Sequence, residues 1–188
     1  MPMTLKGRGS VAEVLKYCLA TDAVGYLDHP LDLRLDEEPC AITELAAPTE
    51  ARLDNALDAA GIDLPLGRGL MHAGGRLMRL WPTRVWHIGA DAPNIGLVCT
   101  SIGHGHCILR LRGPDALYFL ADYASADLRA APIRRAALLR CRIGSYDATL
   151  WWLNTRDLYV VVERCLAQSF VNHLRALVRR RNPHHVTE

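Results

Sequence analysis

"CTSIGHGHCILRLRGPDALYFLADY", residues 99–123, decides how this chain is read. From its front end it gathers His104, His106 and Cys107 and suggests a metal or catalytic cluster. From its far end it is a strand, a turn and a helix. Over residues 105–112, Cys107, Leu109 and Leu111 alternate with Arg110 and Arg112, as a half-buried strand requires. Gly113-Pro114-Asp115 stops that strand and opens a helix, since proline is pre-organised for the first helical position. Leu117, Leu120 and Ala121 supply the helix's apolar stripe. In a strand His106 and Cys107 face opposite sides, and zinc needs three or four convergent ligands. The scaffold reading prevails: no catalytic, cofactor-binding or metal residue is assigned.

Working outward, AITEL (41–45) suits a strand, and Pro48-Thr49-Glu50 starts a helix with Leu53, Ala56, Leu57 and Ala60 inward and Gly61 at its C-cap. A turn at Gly74-Gly75 leads to strands at 76–81 and 84–89, joined by Pro82-Thr83 and flanked by Trp81 and Trp86. After the central helix, strands are predicted at 138–143, 147–153 and 157–163, then a helix over about 166–180. Phe170, Leu174, Leu177 and Val178 form that helix's inner face. Strand, helix, strand, strand thus occurs twice, over roughly 41–89 and 106–163. The expected class is α+β with antiparallel hairpins, not a doubly wound parallel sheet. Residues 1–38 are expected to be an arm or linker. Val11, Val14, Leu15 and Leu19 there suit a short helix capped by Ser10, and Leu31, Leu33 and Leu35 alternate as in an edge strand. The domain proper then spans 39–188, with units of about 39–98 and 99–188.

With 188 residues, half of them hydrophobic, the chain can bury a sizeable core. Its net charge of +2 is too balanced to argue for nucleic acid or an anionic membrane. The Arg179-Arg180-Arg181 block complements the negative end of a helix dipole. Six cysteines with no CxxC pair, no apolar h-region at the start and no long apolar run point to reduced thiols in a cytoplasmic protein. GxSxG, GxGxxG and GxxxxGK[ST] motifs are absent, so neither a nucleophile elbow nor a phosphate cradle has a candidate. Gly67-Arg68-Gly69 and Gly103-His104-Gly105 read as turns, and His184-His185 as a solvated tail. Trp151 and Trp152 must face opposite sides of one strand. With Arg140 and Arg142 marking a wetter face on the preceding strand, one tryptophan is expected in the core and the other at a subunit contact.

The order of segments resembles the gamma subunit of heterotetrameric sarcosine oxidase, a small relative of the folate-binding aminomethyltransferase fold, over about residues 40–178. The pieces that carry it are ITEL, EARLDNALDAAGIDLP, RLMRLWPTRVWHIG, the opening stretch through Leu128, and RCRIGSYDATLWWLNTRDLYVVVERCLAQSFVNHL. Leu80-Trp81-Pro82, Trp86, Gly113-Pro114 and Ser169-Phe170 stand where the family has comparable residues. The resemblance implies a structural subunit with no cofactor of its own. FAD, FMN, NAD and tetrahydrofolate, and a zinc on the delta subunit, belong to alpha, beta and delta partners in a complex of one-carbon metabolism. It also implies that His104 and His106 are turn residues. Two other readings stand beside it: the equivalent subunit of an N-methylglutamate dehydrogenase, and a stand-alone folate or small-ligand binder. The last would need a buried carboxylate for the pterin, and no Asp or Glu matches that position.

Overall fold

The alternation of apolar residues predicted for the strands is satisfied by two sheets stacked face to face. The computed structural model describes residues 33–38, 41–72, 75–129 and 137–181. In chain order the elements are β1 (Arg34–Glu37), β2 (Ile42–Ala46), α1 (Glu50–Ala59), β3 (Arg68–His72), β4 (Gly75–Trp81), β5 (Arg84–Ile88) and β6 (Val98–Ser101). There follow β7 (His106–Arg112), α2 (Ala116–Ala121), β8 (Leu138–Ile143), β9 (Tyr146–Asn154), β10 (Asp157–Glu163) and α3 (Arg164–Arg181). One sheet has the order β1-β7-β10-β9-β8, the other β3-β4-β5-β2-β6, and the strand pairs within them are antiparallel. The predicted α+β class is the observed one.

Three apolar layers hold the elements together. Beneath the β7 sheet, Leu109, Leu150, Trp152 and Val160 pack on Leu117 and Leu120 of α2 and on Phe170, Leu174 and Val178 of α3. Between the sheets, Ile108, Leu138, Trp151, Tyr159 and Val161 meet Ile42, Met78, Trp86 and Ile88. Beyond the β5 sheet, Leu45, Leu77 and Val85 pack on Leu53 and Leu57 of α1. The result is helix, sheet, sheet, helices, each sheet buried on both sides.

Local chemistry sets the boundaries of α1. The Thr49 hydroxyl accepts from the Arg52 amide at 3.2 Å, an N-cap. At the other end Ile62 N–H donates to the Leu57 carbonyl (2.9 Å) and Gly61 N–H to that of Asp58 (2.9 Å). That is a Schellman closure, with Gly61 at φ 68° supplying the left-handed residue. Arg79, buried on β4, pins this helix to the sheet through Asp54 (2.7 Å) and Glu50 (3.3 Å).

Several expectations are corrected. Trp151 and Trp152 do face opposite sides, but both are buried, at 1% and 0% exposure. The face marked by Arg140 and Arg142 is covered around Trp151 by the chain's own β5 sheet, so neither ring is a subunit contact. The edge strand expected at Leu33 and Leu35 is present, since β1 forms the edge of the β7 sheet with Leu35 opposite Leu111 and Asp36 opposite Arg110. The helix expected over residues 11–19 lies outside the described residues. β3 and β6 were not expected as strands, and each forms an edge of the β5 sheet. A bulge between Met78 and Trp81 breaks the two-residue period of β4, so that Met78, Leu80 and Trp81 all join the inter-sheet layer.

Replacing Trp151 or Trp152 by Ala should each lower unfolding free energy by about 3–5 kcal/mol in chemical denaturation, the cost of deleting a buried aromatic ring. Gly69→Ala should also destabilise, by about 1–3 kcal/mol, because a Cβ there would stand 2.3 Å from Trp151 Nε1. His87 gives a pH prediction. Burial, and then the nearby His72, hold its pKa below the ordinary 6.5, with Asp91 opposing. Its folded form stays neutral where the unfolded form takes up a proton, so stability should fall as pH drops below 6.5. His87→Gln should flatten that slope in denaturation midpoints measured from about pH 7 to pH 5.

Candidate functional site

The inner face of the β7 sheet changes character along its strands. Its middle row, Leu138, Trp151 and Tyr159, is apolar and covered. One step toward the open end, Arg140 lies opposite Thr149, and Thr149 opposite Val161. At the rim, Arg142 lies opposite Asp147, and Glu163 opposite His106. The β5 sheet does not reach over these last rows, and a solvent-open cleft of about 350 Å³ remains between the sheets.

The β5 sheet gives the cleft an aromatic wall. Trp86 has Trp81 at 5.2 Å between ring centroids on one side and His106 at 4.8 Å, edge-on, on the other. Trp86 Nε1 donates to Glu44 (3.2 Å), and Arg84 pairs with the same carboxylate at 3.5 Å. Glu44 is thus committed to holding the wall. Arg140, Asp147 and Glu163 are exposed on the facing sheet and make no ion pair among the described residues. The opposite end of the same sheet is knitted shut instead. Arg110 forks onto Asp157 at 2.9 and 2.7 Å, which holds the Arg110 pKa above its usual range, and Arg76 lies over the Tyr159 ring at 4.5 Å. Asp36 is paired there with Arg112 and Arg34. Burial alone would raise its pKa, but the hydrogen bonds and charge of the two arginines together bring it below the ordinary carboxylate value.

The residues of the opening stretch do not converge. His104 sits exposed in a single 3-10 turn, Gly103–Gly105. His106 begins β7, with Nδ1 3.2 Å from the Ile102 carbonyl and its ring against Trp86. Cys107 points the other way and is fully buried beneath the helices. No group of three metal-capable side chains exists among the described residues, and His184-His185 lies outside them. Arg179-Arg180-Arg181 ends α3. Sequence reasoning missed Glu44, Arg84, Asp147 and Glu163. The available signal was the charge alternation of Arg140 with Arg142 and of Asp147 with Thr149 on strands next to each other. A pterin fits poorly: the acids lining the cleft are half-buried or exposed. The one buried acid among the described residues, Asp115, precedes α2 and does not line it.

No protein-family model matches this sequence, and no curated protein matches it either. Solved structures do. A chain of heterotetrameric sarcosine oxidase from Corynebacterium sp. U-96, in complex with pyrrole 2-carboxylate, aligns with a TM-score of 0.73 at 18% identity over 96% of this chain and 99% of that one. The glycine cleavage system aminomethyltransferase T from Bartonella henselae aligns with a TM-score of 0.54 at 19% identity over 86% of this chain. This chain spans only 48% of that enzyme's length. The fold is that of the aminomethyltransferase-like proteins.

The cleft's polar rim should matter little to folding. Arg140→Ala and Glu163→Ala should each change unfolding free energy by no more than about 0.5 kcal/mol, as exposed positions without an ion pair do. Trp86→Ala should cost several times that. Urea denaturation of the three variants side by side checks the contrast.

Proposed function

We propose that this chain is a non-catalytic structural subunit of a flavin-dependent, sarcosine oxidase-type complex, corresponding to its gamma subunit. The observation that carries this reading is the end-to-end correspondence with a chain of a heterotetrameric sarcosine oxidase, two chains of nearly equal length and one architecture. The aminomethyltransferase, by contrast, is matched over only half its length. In this reading the redox work is done elsewhere: FAD, FMN, NAD and tetrahydrofolate sit on the alpha and beta partners, and a small delta chain completes the assembly in the cytoplasm. The chain's own residues support a supporting role. His104, His106 and Cys107 diverge in space, and the cleft offers an aromatic wall and a two-signed rim.

The test uses the purified full chain and the flavin-bearing chains of a sarcosine oxidase prepared without their gamma subunit. The isolated chain should be colourless and should retain neither FAD, FMN nor NAD in equilibrium dialysis. Adding it to the flavin-bearing chains should yield a stable complex and restore sarcosine oxidation. His104→Ala with His106→Ala should restore it equally well. A stoichiometric yellow chromophore on the isolated chain, or an activity lost with those two histidines while the complex still assembles, would overturn the reading.

A further inference from the structure

Four strand edges bound the two sheets, and two are protected along their length and a third at one end. β1 carries Arg34, Asp36 and Glu37, and charge is a standard defence of an exposed edge. The outer side of β8 is occupied by the chain itself: Ser125 N–H donates to the Arg142 carbonyl (2.8 Å) and Leu138 N–H to that of Gly67 (2.9 Å). β3 is bridged at Arg68 to Ala137. β6 differs. Its four residues, Val98, Cys99, Thr100 and Ser101, are all exposed and uncharged, and its register with β2 runs without a bulge. Val98, at 67%, is the most exposed large apolar side chain among the described residues.

The hydrogen-bonding side of β6 is legible too. Ile102 N–H donates to the Ile42 carbonyl at 2.9 Å. In an antiparallel ladder the pattern alternates, so Thr100 and Val98 also turn their N–H and C=O groups toward β2. Those of Cys99 and Ser101 then point away from the sheet, and no backbone bond outward from them is made among the described residues. An open row of this kind is complemented by another extended backbone.

We propose that β6 is a pairing edge through which two copies of this chain associate, antiparallel, about a two-fold axis at Thr100. The sequence of the edge complements itself in that register. Cys99 meets the second copy's Ser101 and the reverse, which matches both outward-pointing residues and forms about four backbone hydrogen bonds. On one face Thr100 meets Thr100, a favourable cross-strand pair, and Val98 meets the second copy's Ile102. Leu97 through Gly103 carries no charge, so no like charges are opposed. The contact is isologous and closes at two, joining the β5 sheets into one ten-stranded sheet. It is independent of the role proposed above.

Analytical ultracentrifugation of the full 188-residue chain across a dilution series tests it. A dimer of twice 20.9 kDa that dissociates on dilution is expected. Ser101→Pro removes only an outward N–H, and Val98→Lys sets a charge against the second copy's Ile102. Each should raise the dissociation constant at least tenfold, about 1.4 kcal/mol, while circular dichroism, and melting temperature at a dilution where the parent is monomeric, stay as in the parent. Thr100→Cys should link two copies by a disulfide under mild oxidation, since residues at a non-hydrogen-bonded pair bring their Cα atoms to about 4.5 Å. The parent chain, whose Cys99 faces Ser101 in this register, should not link. A chain that stays monomeric at roughly 100 μM, generous for so small a contact, overturns the proposal. So does a dimer indifferent to Ser101→Pro and Val98→Lys, or one that Thr100→Cys fails to link.

Discussion

Trp151 lies against Gly69, and the fold depends on that seat. β9 carries two adjacent tryptophans, and strand geometry drives their rings to opposite faces of one sheet. Trp152 is received by α2 and α3, which any half-buried sheet would provide. Trp151 needs a second large apolar layer, and the β5 sheet supplies it. Gly69 leaves no side chain where the indole must lie, and Tyr159 stacks beside it at 5.5 Å. Two five-stranded sheets are thereby locked face to face, and among the described residues the apolar middle of the β7 sheet is covered on both sides.

What remains for other molecules follows from that closure. Sheets that splay from a common contact leave a wedge at the far end, and here the wedge is lined by Trp81 and Trp86 on one side and by Arg140, Asp147 and Glu163 on the other. The charges stand where the covering sheet stops, because a charge one row deeper would have been stripped of water without a partner. The contrast with the sealed end, where Arg110, Asp157, Arg112 and Asp36 satisfy one another, shows the same rule obeyed by pairing.

Much of this was legible in the sequence. The alternation of Cys107, Leu109 and Leu111, the Gly-Pro stop after them, the Pro48-Thr49-Glu50 helix start and the Gly61 cap are local signals with local consequences, and the elements they predict are present. The same holds for the three strands before α3. What escaped was whatever depends on a second layer. Arg140 and Arg142 correctly marked the wetter face, yet a single strand cannot say that another sheet will cover its inner half. β3 and β6 are short edge strands with weak alternation, and the bulge after Met78 hides Trp81 from a two-residue period. The cleft is built from strands distant in sequence, so its acids and its aromatic wall never appeared as one motif.

The central claim is that this chain closes both faces of its principal sheet without help. Indole N–H exchange in the isolated chain, followed by NMR with the four tryptophans assigned by substitution, tests it most directly. The account predicts that in the isolated chain, with no partner added, the Nε1 protons of both Trp151 and Trp152 exchange only through global unfolding, at a rate that tracks denaturant. A Trp151 proton that exchanges freely in the isolated chain, and becomes protected only when another subunit is added, would contradict it.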